Sequence, residues 1–263
     1  MKGKRGITFI NVLVVVTYLI MIAVNFLANS IPINGVTTGE VASKYKNLFT
    51  PAPITFSIWG LIYLLLAAYT IYQLGFFQKD KSVERDSLLK KIGIFFSISS
   101  IANALWILSW HYYKIPSSLL LMIVMLICLI MIVSEINKTD LSCRDKFFIK
   151  IPFSVYFGWI TIATIANVTT FLVSIGWDGL GISEETWTII VILLGLLISV
   201  ITILKNNDFI YGLVIIWAYI GILIKHKSPN GFAGQYPAII TTLIISIGIL
   251  VIVDIYILKR KSH

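Results

Sequence analysis

The sequence predicts an all-α integral membrane protein of about eight spans, and three observations carry that prediction. Of its 263 residues, 58% are hydrophobic and 13% are charged, about half the charged fraction of a soluble domain. The apolar residues fall into blocks near 20 long, the length that crosses a hydrocarbon core of roughly 30 Å. These blocks run unbroken, without the two-residue alternation of a barrel strand, so the spans are helical.

Taken in order, spans are expected at about 7–28, 54–77, 92–112, 117–136, 151–174, 187–204, 209–224 and 238–258. The first follows "MKGKR". The run from Ile7 to Ala28 is long for a signal-peptide core and no small-x-small cleavage site follows, so it reads as a retained span. The second begins at "PAPITFSIWG", where prolines suit a helix start. The third and fifth follow the charged stretches "QKDKSVERDSLLKK" and "NKTDLSCRDKFFIK". The sixth and seventh are short and joined by the tight link "KNND", so they form a helical hairpin or one of them is partly re-entrant. The eighth ends at "KRK".

The net charge of +9 has a membrane meaning, which excludes a nucleic-acid partner. Of the 21 Lys and Arg residues, Lys44, Lys46, Lys114, Lys225 and Lys227 fall on one side of the alternating spans and the other sixteen on the opposite side. The positive-inside bias therefore predicts a multi-pass protein of the cell (plasma) membrane with both termini cytoplasmic. Cys128 lies in an apolar block and Cys143 in a basic loop, so neither a disulfide nor a metal spacing is expected. The loop 29–53, about 25 residues with "IPING" and "NLFTPAP", is a candidate lid. Residues 175–186, "IGWDGLGISEET", form an acidic, Gly-rich loop on the same side.

Polar and aromatic side chains inside spans mark candidate function, because lipid-facing polar groups are costly. Phe56, Trp59, Gly60 and Tyr63 share one stripe of the second span. Asn103, Trp106 and Trp110 share one of the third, with His111 at its end. Trp159, Ala163 and Asn167 share one of the fifth. Singly, each has an ordinary reading: Trp belongs to interfacial belts, Asn glues helices, and His111 reads as an interface residue rather than a haem ligand. Converging, they would wall an apolar cavity with a few hydrogen-bonding groups, the character of a small-molecule site. No hydrolase elbow, P-loop, HExxH or dinucleotide fingerprint stands in credible context. Glu135 and Asp254 lie near one membrane surface rather than centrally, so no catalytic residue or metal ligand is assigned.

Three of these stretches resemble the TspO/MBR family, the tryptophan-rich sensory or translocator proteins. "PAPITFSIWGLIYLLLAAY" is similar to its second span, a proline pair followed by Phe and Trp-x-x-x-Tyr, on Pro51, Pro53, Phe56, Trp59 and Tyr63. "IANALWILSWHYY" resembles its Asn-x-x-Trp segment, on Asn103 and Trp106. "FGWITIATIANV" resembles its Trp-x-x-x-Ala-Thr-x-x-Asn segment, on Trp159, Ala163, Thr164 and Asn167. The chain departs from the pattern in splitting the proline pair, in lacking the flanking loop tryptophans, and in carrying Ser109-Trp110 where the family has Phe. The resemblance covers about residues 7–174.

The resemblance implies a TspO-like five-helix bundle in residues 1–174, under the loop 29–53, plus three further spans in 175–263. It implies a membrane receptor or sensor that binds a hydrophobic small molecule, of the porphyrin, sterol or lipid class, between spans two, three and five. A bound tetrapyrrole or lipid, contact with membrane lipids and homodimerisation belong to the same expectation. The alternative is a transporter or exporter of a small hydrophobic solute. An enzyme acting on a tetrapyrrole or lipid is a third reading.

Overall fold

The computed structural model describes residues 7–31, 33–78 and 82–261, without the side chain of Lys261. Lys2, Lys4, Arg5, Lys79 and Lys81 of the charge argument lie outside the described residues. In chain order the helices are α1 (Phe9–Ser30), α2 (Thr38–Lys44), α3 (Ile58–Gln73), α4 (Val83–His111), α5 (Ile115–Asn137), α6 (Cys143–Asp145), α7 (Ile151–Ser174), α8 (Glu184–Asn206), α9 (Phe209–Lys227) and α10 (Pro237–Lys261). Among the described residues, eight helical stretches are long and apolar enough to cross a membrane, α3 counting from Pro53 and the α6–α7 stretch from Cys143. The protein is an all-α integral membrane protein.

Two expected boundaries move. α4 begins at Val83 and the fifth span at Cys143, not near 92 and 151. Hydropathy sees only the apolar part of a helix. Here Ser82 and Ser142 cap the charged first turns by accepting from the amides of Arg85 and Asp145. Glu84 and Asp86 also suit the positive end of the helix dipole. Between α6 and α7 the chain widens into a π-helical turn, Lys146–Lys150. Pro152 follows it and has no N–H, and its ring would crowd the carbonyl of Phe148 in a regular helix, so the widening has a steric cause.

The sixth and seventh spans are both complete. α8 has 23 residues and α9 has 19, about 34 and 28 Å at the helical rise. Asn207 ends α8 in the left-handed region at φ 48°. Asp208 starts α9 by accepting from the amides of Ile210 and Tyr211. The link is a hairpin turn between two helices that are each long and apolar enough to cross a membrane.

The chain divides into two compact units, Met1–Thr37 with Gly60–Phe157, and Thr38–Trp59 with Gly158–His263. In the first, α4 packs against α1 and α5. Water-free helix association has little hydrophobic drive, so packing and buried polar ties fix the register. Asn11 and Gln73 exchange side-chain and backbone bonds between α1 and α3, and the Tyr18 hydroxyl donates to the Tyr63 carbonyl at 2.9 Å. Tyr69, Phe96 and Phe153 meet edge to face at 4.8–5.6 Å between centroids. The Ile33–Gly35 turn is bound to the end of α4, where His111 Nδ1 lies 3.1 Å from the Ile33 carbonyl and Asn34 donates to the His111 carbonyl.

In the second unit α10 packs against α8 and α9. The Tyr219 hydroxyl donates to the Ile192 carbonyl at 2.7 Å, across a space that Gly195 leaves open. The segment of this unit that precedes α3 is not an open connector. It holds α2, and Leu48, Phe49 and Ala52 are buried.

Candidate functional site

The PAP stretch is set by α9. The Ala52 amide donates to the Gly221 carbonyl at 2.9 Å. Trp217 Nε1 donates to the Thr55 carbonyl at 3.0 Å, and His226 Nε2 lies 2.9 Å from the Leu48 carbonyl. A methyl group at Gly221 would overlap the Thr55 side chain, so only glycine lets the two backbones approach this closely. Residues 53–57 form a short 3₁₀ turn with Pro53 in its first positions. That proline needs no N–H there and fixes φ for the turn.

This anchoring delivers Phe56 and Trp59 to Trp159 of α7. Phe56 meets Trp159 at 6.0 Å and 87°, and Trp59 meets it at 6.1 Å and 83°. Both are edge-to-face contacts, the geometry the ring quadrupoles favour. Trp159 is 3% exposed, and among the described residues its indole N–H has no hydrogen-bond partner. A buried donor left unmade costs about 1–3 kcal/mol. Gly158, beside it, lies against Val214 and the Tyr211 carbonyl, leaving 2.9 Å for an added methyl, so α7 and α9 are in close contact where Trp159 is held.

The other sequence-named residues sit as follows. Ala163 is half-buried and Asn167 buried, further along α7. In the first unit Trp106 and Trp110 are both buried and stack at 5.8 Å and 26°. Asn103 is fully buried. Its oxygen accepts from Asn25 at 2.7 Å and its amide donates to the Tyr156 hydroxyl at 3.3 Å. It thereby ties α1, α4 and α7, the helix-joining role open to it in the sequence. Tyr63 is half-buried.

The sequence reading passed over two features. Trp217 belongs to none of the marked stripes, yet it holds the PAP stretch through a bond to the Thr55 carbonyl. The second unit also contains a cavity of about 680 Å³ between α7 and α8, lined among others by Phe49, Trp177 and Trp187. None of the nine sequence-named residues lines it. The Trp pair bracketing "GWDGLGISEETW" was the available signal.

No curated protein and no solved structure matches the chain. The family model described as TSPO-like protein matches residues 11–256. The match runs through α8, α9 and α10 as well as the three motif-bearing helices. The chain, a membrane protein with eight membrane-length helices among its described residues, therefore belongs to the TSPO-like protein family.

Proposed function

We propose that the protein is a membrane receptor or sensor that binds a hydrophobic small molecule, of the porphyrin, sterol or lipid class, beside Trp159. One observation carries this reading: Phe56 and Trp59 of one motif stretch meet Trp159 of another edge to face, and among the described residues the buried Trp159 indole N–H has no hydrogen-bond partner. Apolar walls with one unspent donor suit a flat or elongated apolar ligand bearing a carbonyl or carboxylate. Trp159→Phe keeps an aromatic ring at the position and removes the donor. Equilibrium binding of a porphyrin and a sterol to the detergent-solubilised protein should then weaken about five- to tenfold, the worth of one hydrogen bond of roughly 1–1.4 kcal/mol. Unchanged affinity in Trp159→Phe contradicts the reading.

The same proposal places the protein in the plasma membrane with both termini in the cytoplasm, on the strength of the Lys/Arg asymmetry. Cys143 is exposed and Cys128 buried. A membrane-impermeant thiol reagent should label Cys143 in inverted vesicles and leave intact cells unlabelled. Labelling of intact cells reverses the orientation.

A further inference from the structure

The cavity between α7 and α8 is distinct from the Trp159 cluster. Trp159, Ala163 and Asn167 lie on one side of α7, whereas Ile165, Val168 and Leu172, which line the cavity, lie on roughly the opposite side at 100° per residue. Its long walls are apolar. The polar residues along them have turned inward on their own backbone: the Thr169 hydroxyl donates to the Ala166 carbonyl and the Thr188 hydroxyl to the Glu184 carbonyl. Asn47 likewise spends its amide within its own loop, on Tyr45, Phe49 and Thr50. Val168, Val173, Leu194 and Ile198 are exposed, so the cavity opens sideways along membrane-length helices.

Charge is confined to one end. Lys46, Asp178 and Glu184 line the mouth, and among the described residues none of them is in an ion pair. Trp177 and Trp187 meet there at 4.8 Å between centroids, and Trp187 is fixed by donating to the Gly179 carbonyl at 2.6 Å. Tryptophan at the boundary between charge and hydrocarbon marks a headgroup level. From Glu184 the groove continues along α8 to Ile198, about 21 Å at the helical rise. That is close to one leaflet's half of a roughly 30 Å core with part of its headgroup zone.

We propose that this cavity seats a zwitterionic phospholipid of the phosphoethanolamine class. Its phosphate lies by Lys46, its ammonium by Asp178 and Glu184, and an acyl chain runs between Val168, Leu172 and Leu194. One cation with two carboxylates matches a phosphate–ammonium headgroup. It disfavours an anionic lipid and gives a neutral lipid nothing for its charges to hold.

Full-length protein is exchanged into detergent with an equimolar mixture of phosphatidylethanolamine, phosphatidylglycerol and diacylglycerol, and the lipid retained per chain is read by native mass spectrometry. Phosphatidylethanolamine is expected to be retained over the other two. Lys46→Glu should lower its retention roughly two- to fivefold, the scale of an exposed charge contact. Leu194→Trp, which fills the groove, should lower it about tenfold at an unchanged melting temperature. A matching change on another exposed leucine, Leu213→Trp, should have no effect. Equal retention of diacylglycerol, preference for phosphatidylglycerol, or retention in Leu194→Trp equal to that of the unmodified protein would each overturn the proposal. Porphyrin or sterol affinity at Trp159 is unaffected by Leu194→Trp on this account, so the two sites fail independently.

Discussion

Gly221 is where the smallest side chain has the largest consequence. Thr55 occupies the space a methyl group would need, and the Ala52–Gly221 and Trp217–Thr55 bonds depend on that approach. Gly221→Ala should therefore destabilise by about 1–3 kcal/mol through overpacking. Thr55→Ala in the same chain should recover part of it, a coupling that thermal unfolding of the four variants in detergent measures directly. Trp217→Phe should cost about 1–2 kcal/mol, since it loses one part-buried hydrogen bond and some of the indole's packing. If Trp217→Phe were as stable as the unmodified protein, the PAP stretch would not owe its position to α9. At this scale the sequence was legible for Phe56, Trp59 and Trp159, because residue type and spacing marked them. It was silent on Gly221 and Trp217, because a contact between positions 55 and 221 leaves no periodic trace.

Among the helices, all eight membrane-length stretches could be read from the length and continuity of apolar runs, which the bilayer imposes on any sequence. What escaped was each polar helical turn that lies beyond the hydrocarbon. α4 and the fifth span start nine and eight residues early by hydropathy's measure, on capped turns that transfer scales count as loop. The α8–α9 link is a similar case: "KNND" reads as a tight turn, and its chemistry gives the form. Asn207 accepts the left-handed backbone and Asp208 caps the next helix. Asp208→Ala should lower stability by about 1 kcal/mol. Asn207→Gly should be neutral or slightly stabilising, since glycine adopts φ 48° without strain. A marked loss in Asn207→Gly, seen in the same melts, would mean that the asparagine side chain contributes more than its backbone angle.

For the whole molecule, the family match from residue 11 to 256 takes in all three of the last spans. The structure gives them a task the sequence left undecided. α9 fixes the entry to the motif helix, and α10 packs against both α8 and α9. The stretch that carries Phe56 and Trp59 is thus held by residues far along the chain. Ligand identity was never legible, because aromatic walls with one donor suit many flat apolar molecules. The most direct test of the central claim is the affinity of the purified full-length protein for a porphyrin and a sterol, measured beside Trp159→Phe and Leu194→Trp. The account predicts saturable binding that falls about five- to tenfold in Trp159→Phe and is unchanged in Leu194→Trp. Binding by neither ligand class, or binding indifferent to Trp159, would contradict it.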